Sequence, residues 1–204
     1  MDRKRLRNNN HPPPRFKMER GDVDEDCRVV TLVIHPTSDD APVGTISGEY
    51  IDNPKRFKDL NSVWFFRRLL SNRDEDHPFR LNGYTYMSIE HVFQEEKYCL
   101  IHTDKQGCFS INGEFGKRHI SDIMNMTGRS KLHLTDDQFD HWQSIQGRVQ
   151  YEATHAQYDQ HPFKMGVLKA TKDAEIFMAS NPMQKRIHFW WLEYVRDGKV
   201  PDWE

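Results

Sequence analysis

The chain has 204 residues, a formal net charge of −2, and 36% apolar and 29% charged residues, which favours one ordinary domain and provides no global field to gather nucleic acid. No run approaches the roughly 18 consecutive apolar residues of a membrane span, whereas 5 Trp, 12 Phe and 7 Tyr supply ample aromatic bulk for a core. Cys27, Cys99 and Cys108 form no CxxC, and no apolar leader is read at the start, so a disulfide framework and a cysteine zinc site are not expected. A reducing, intracellular setting, cytoplasmic or nuclear, fits best.

"MDRKRLRNNNHPPPRFKMERGDVDED" carries seven basic residues in its first twenty, a Pro triplet and then an acidic run. Residues 1–26 therefore read as a disordered arm, open to nucleic acid or an acidic protein surface, with the folded domain expected over 27–204. "RVVTLVIHP" predicts a strand over 28–35, β-branched and ended by Pro36. "NSVWFFRRLLSN" fits either a short buried strand or a helical turn, because periodicity does not arbitrate over so few residues.

In "FRLNGYTY", Asn82-Gly83 between alternating segments predicts a tight hairpin, since both residues tolerate positive φ. Beyond it a helix is predicted from a Ser88 cap to about His102, with Glu90 in the first turn and Ile89, Phe93 and Leu100 as its apolar stripe. "KRHISDIMNMTGRS" predicts a helix stopped by a left-handed Gly128, leaving Arg129 to project from a helix end.

"DDQFDHWQSIQGRVQYEATHAQYDQH" has the clearest helical period, with Phe139, Trp142, Ile145, Val149, Ala153 and Ala156 as the expected buried face. Gly147 inside it suggests close approach of another backbone. A short helix, a turn and a strand-like "EIFM" follow. The last helix is expected to start at Pro182 and end before Gly198, burying Ile187, Trp190, Trp191 and Tyr194. The fold class is thus α+β, mostly helical, with a few short strands and a small hairpin.

Glu90, Gln94 and Lys97 stand at i, i+4 and i+7, which places an acid, an amide and a cation in a row on one helix face. A solvated face and a catalytic face both fit that spacing. His91 and Glu95 read as a surface pair rather than metal ligands, and no metal or other cofactor is expected. Trp142 reads as core before it reads as a stacking platform. Arg129 suits a phosphate or a solvated surface equally by chemistry. No GxGxxG after a strand, GxxxxGK[ST] or GxSxG occurs.

"LLSN" at 69–72, "F-LNGYTYMSIEHVFQEEKY" at 79–98, "MTGR" at 126–129, "W-x5-R" at 142–148 and "LKATKDAEI" at 168–176 together resemble the NADAR, or YbiA-like N-glycosidase, family over about residues 64–197. The most specific block is S-x-E-H-x-F-Q-x-x-K. The resemblance implies a YbiA-like single domain that cleaves a ribose C1–N bond, in ribosylamine phosphates or between ADP-ribose and guanine. It implies Glu90 as acid/base and Lys97 as phosphate contact or amine nucleophile. Gln94 would hold a ribose hydroxyl or a water, Arg129 a phosphate, and Trp142 would stack on the base. Asn72 and Gly83 would form walls of the site, although a turn cap and a hairpin glycine account for them as well.

Two departures from the family pattern bear on catalysis. Met178 occupies a usually acidic position, and the D-x-x-W-G-x-G loop is missing between Ser180 and Lys185. The expected function is an N-glycoside hydrolase with a nucleotide or ADP-ribosylated substrate and no membrane partner. The alternative is a catalytically degenerate module that binds nucleotides or serves as a structural part of an assembly such as a viral particle.

Overall fold

The computed structural model describes residues 29–34, 41–178 and 186–203, without the side chains of 129 and 130. The arm expected over 1–26 and the helix start expected at Pro182 lie outside these residues. What is described is α+β and mostly helical, with two small sheets.

The strand expected over 28–35 is β1, Thr31–Ile34, whose Leu32, Val33 and Ile34 are completely buried. It pairs in parallel with β4, Glu175–Met178, and β4 pairs in antiparallel fashion with β5, Ile187–His188. Between β1 and the hairpin lie the short helices α1, Lys58–Asn61, and α2, Phe66–Leu69. The "NSVWFFRRLLSN" stretch therefore resolves as a helical turn, entered through Phe65 at φ 57°. The side chain of Arg67 on α2 is fully buried against Glu49, which is also fully buried. Arg67 donates to the carbonyls of Val33, Ala41 and Pro42. Glu49 in turn accepts from Val33 N at 2.9 Å and Gly44 N at 2.7 Å. One ion pair thus ties β1, the 41–49 loop and α2 together.

β2, Phe79–Leu81, and β3, Tyr84–Tyr86, form the expected hairpin, with Asn82 at φ 50° and Gly83 at φ 85° in its turn. α3 spans Ile89–Cys99, α4 Ile120–Met126, α5 Arg129–Leu132 and α6 Asp136–Gln160. Thr135 caps α6 with a reciprocal box: its hydroxyl accepts from Gln138 N at 3.2 Å and its N–H donates to Gln138 Oε1 at 3.0 Å. α7, Pro162–Ala170, and α8, Trp190–Asp197, complete the chain. The main core gathers Leu32, Phe57, Phe79, Ile89, Tyr158 and Ile176 among others from both ends of the chain.

Several local expectations are corrected. Gly128 is not a left-handed stop: at φ −56° it opens α5, and Thr127 closes α4. The last helix starts at Trp190, because Ile187 and His188 are taken by the sheet, where Ile187 is half exposed rather than buried. The close neighbour of Gly147 is an indole ring, not a backbone, since a Cβ there would meet Trp190 Cζ2 at 3.2 Å. The fully buried residues of α6 include Trp142 and Ala153 but also Gln150, Thr154 and Gln157, while Phe139, Ile145, Val149 and Ala156 are only partly buried.

His91 and Glu95 are likewise not a surface pair, for both are buried. The Glu95 carboxylate accepts from Tyr86 Oη at 2.6 Å, Gly107 N at 2.9 Å and Phe109 N at 2.8 Å, anchoring the loop after α3 to the hairpin. Glu95→Gln turns one of those acceptor positions into a donor facing a donor. It is expected to cost about 2–4 kcal/mol in urea unfolding, and a loss under about 1 kcal/mol would rule out the anchoring role.

His91 shares a 2.8 Å hydrogen bond between Nδ1 and Ser88 Oγ, so the Ser88 side chain faces the imidazole instead of capping an α3 N–H. Burial lowers the His91 pKa from 6.5 to about 4, against the Arg118 backbone and with the help of nearby His119. The unfolded chain then binds the extra proton between those two values, and stability falls as pH drops through that window, by at most about 3 kcal/mol. Denaturant unfolding of the parent is expected to weaken between pH 6.5 and pH 4, and His91→Asn, though less stable at neutral pH, is expected to lose that part of the slope. An equal slope in both would assign the acid sensitivity elsewhere.

Candidate functional site

The first turn of α3 is the best candidate. Glu90 N donates to Asn72 O at 2.9 Å, which fastens the turn after α2 to the start of α3. The Glu90 side chain points inward, and the residue is only 6% exposed, so the solvated-face reading does not apply. Gln94, one turn on and equally buried, donates through Nε2 to Glu90 Oε1, and its own Oε1 lies 2.6 Å from Thr127 Oγ1 at the end of α4. Thr127 Oγ1 also stands 2.8 Å from the Ile123 carbonyl. Gln94 is thereby held from both ends, and the carboxylate with it.

A second amide pair closes the other side: Asn72 Nδ2 donates to Gln150 Oε1 of α6 at 2.7 Å. Polar side chains from the turn after α2, from α3, from the α4 terminus and from α6 therefore meet inside the protein. Lys97, a further turn along α3, is half-buried.

Burial raises the Glu90 pKa above the usual carboxylate value, against the Gln94 hydrogen bond and the charges of Arg73 and Lys97, which lower it. Burial also lowers the Lys97 pKa, against the attraction of Glu90. Burial thus favours the neutral form of each, a shift in the direction that suits a proton donor and an amine. A carboxylate kept partly dry is a stronger hydrogen-bond acceptor and a stronger base than one in water.

Glu90, Gln94, Lys97 and Asn72 thus share one neighbourhood. Trp142 is buried and packs edge-to-face on Phe93 at 4.7 Å between ring centroids, which makes it part of the α3–α6 packing. Gly83 sits exposed in the hairpin turn, where its positive φ is the evident requirement. Arg129 begins α5, and its side chain lies outside the described residues. Arg148, from the W-x5-R element, is an exposed partner of Glu152 at 2.7 Å.

Sequence reasoning missed Thr127, Gln150 and Arg73. A signal for Gln150 exists: with Thr154 and Gln157 it repeats, on α6, the same i, i+4, i+7 polar spacing that marks α3. Each stripe is buried through partners on other elements: Gln94 meets Thr127, Gln150 meets Asn72, and Gln157 donates to the His77 carbonyl and accepts from Lys164. Thr127 and Arg73 offer no comparable periodic cue.

Among known proteins, a solution NMR structure of the Escherichia coli protein YbiA is similar to this chain at 18% identity, with 84% of this chain and 86% of that chain covered and a TM-score of 0.44. No protein-family model and no curated protein matches the chain.

Proposed function

We propose that the protein is an N-glycoside hydrolase of NADAR type, cleaving a ribose C1–N bond in an ADP-ribosylated guanine or a ribosylamine nucleotide. The observation that carries this reading is the desolvated Glu90 carboxyl, held by Gln94, which Thr127 in turn fixes, and acted on by the charges of Lys97 and Arg73. The resemblance of the S-x-E-H-x-F-Q-x-x-K block supports it independently.

In the reaction the C1–N bond breaks, its electron pair goes to the leaving nitrogen, and a water oxygen becomes bonded to C1. A carboxyl whose pKa is raised keeps a proton to give to that nitrogen, and once ionised it stabilises the positive charge at C1 and accepts the proton of the attacking water. Gln94 fixes the direction of the carboxyl and can offer its amide to a sugar hydroxyl. Lys97, more readily deprotonated than a lysine in water, can act as an amine toward an open-chain sugar aldehyde or, protonated, hold an anion.

A second reading, a module that binds such ligands without turnover, is favoured by Met178. The resemblance calls for an acidic residue at that position, whereas Met178 pairs with Ile34 and Ile187 in the sheet and packs on the main core. Incubation of the purified chain with guanine-linked ADP-ribose separates the two readings. Release of free ADP-ribose by the parent, absent in Glu90→Gln, is the expected result; binding without release by either would select the module.

A further inference from the structure

Asn72 and Arg73 are consecutive residues in the turn tied to Glu90, and each leaves a buried polar atom without a hydrogen bond. Asn72, only 2% exposed, spends its Nδ2 on Gln150 and has nothing at Oδ1. Arg73 has nothing at Nε. A buried acceptor or donor left unmade carries the full desolvation penalty of that group, so a native fold retains one where a bound water, an ion or a ligand completes it.

Arg73 differs from several cations around it. Arg67 is matched by Glu49, Arg68 by Asp76 and Lys164 by Asp74. Arg73 is half-buried and forms no ion pair among the described residues, yet it is near enough to Glu90 for its charge to oppose the rise in that carboxyl's pKa. A guanidinium stays charged at any relevant pH. Lys97 is the other cation whose charge acts on Glu90.

The two open atoms ask for different partners. Oδ1 of Asn72 requires a donor, which a sugar hydroxyl supplies at a distance from the phosphate that free phosphate cannot span. Nε of Arg73 requires an acceptor and, with an adjacent guanidinium nitrogen, presents the fork that suits a phosphate. We infer that Arg73 is a phosphate-binding residue of this site and Asn72 a hydroxyl acceptor, so that the site selects a sugar phosphate over an unphosphorylated sugar and over free phosphate. The inference deepens the proposed function by naming the groups that hold the ligand, and rests on that reading for the location of the site.

The test is equilibrium binding of ribose 5-phosphate, ribose and inorganic phosphate, by calorimetry, to the full chain and to Arg73→Gln and Arg73→Lys. The parent is expected to bind ribose 5-phosphate more tightly than either simpler compound. Arg73→Gln is expected to weaken ribose 5-phosphate about 10–100-fold, and Arg73→Lys, which keeps the charge but not the fork, by less. Circular dichroism of both variants is expected to match the parent, since Arg73 makes no side-chain hydrogen bond among the described residues.

Equal affinity of parent and Arg73→Gln for ribose 5-phosphate would overturn the assignment, as would a folded parent that binds none of the three compounds. Free phosphate binding as tightly as ribose 5-phosphate would overturn the Asn72 half. Binding that depends on Arg73 without release of ADP-ribose would leave the inference standing and defeat only the hydrolase. Hydrolysis unaffected by Arg73→Gln would do the reverse.

Discussion

Glu90→Gln is expected to reduce N-glycoside hydrolysis by about 10²–10⁴-fold, the range for removing a positioned general acid/base, with little change in substrate affinity. The substitution is nearly isosteric. Glu90 N keeps its bond to Asn72 O, and a glutamine Oε1 still accepts from Gln94, so the first turn of α3 is retained. What is lost is the transferable proton. A reduction in kcat with KM held would mark an interaction made in the transition state, whereas a rise in KM alone would demote Glu90 to a binding group.

Stability provides a second readout of the same substitution. The folded-state pKa of Glu90 is raised above its ordinary 4.5, so between the two values the folded chain holds a proton that the unfolded chain has released. The associated stability is present below about 4.5 and is lost as pH rises through the folded value. At pH 8 the parent carries the cost of a buried charge that glutamine does not. Thermal melts are therefore expected to show Glu90→Gln equal to or more stable than the parent at pH 8, with the advantage shrinking toward pH 4. A clear fall in melting temperature at pH 8 would instead make Glu90 a structural carboxylate like Glu95.

Arg67→Met is expected to show the largest loss of stability. The Arg67–Glu49 pair is entirely enclosed, and the substitution removes the guanidinium from the Val33, Ala41 and Pro42 carbonyls while leaving the Glu49 carboxylate buried. Breaking one side of such a pair costs about 3–5 kcal/mol, a large part of the roughly 5–15 kcal/mol that holds a domain together. Glu49→Gln added to Arg67→Met removes the stranded charge and is expected to recover part of the loss, although Val33 N and Gly44 N keep only one good acceptor between them. Urea unfolding of the two singles and the double gives the coupling directly. Additive losses would mean that the two side chains act separately and that the enclosed pair is not the tie between β1 and α2.

Much of the local architecture was legible in the residues. Asn82-Gly83 demands a primed turn and forms one, and α6 begins and ends within a residue or two of its expected bounds because Thr135 and Gln138 cap it. β5 was not legible: Ile187 and His188 are too few to show a period, and only β4 beside them makes them a strand. The pairing of β1 with β4 is likewise set by tertiary packing. The site was half legible. Its residue types and spacing on α3 stood out, but their burial did not, because periodicity weighted by apolar side chains points to Phe139 and Val149 on α6, away from the Gln150 and Thr154 that are fully enclosed. Arg73 escaped attention for a related reason: in "NRDED" it looks like any solvated cation, and only the pairing of its neighbours shows that it lacks one.

The parallel pairing of β1 with β4 also governs how the protein is made. The ribosome releases β1 long before Glu175 is synthesised, and before then it can form only the Thr31–Tyr50 bridge and the Val33 contacts to Glu49 and Arg67. Closing so long a loop is entropically slow, and until it closes Leu32, Val33 and Ile34 have no strand beside them. The nascent chain therefore completes this sheet only late in its synthesis, and a chain ended before β4 is expected to lack the one parallel partner of β1 among the described residues.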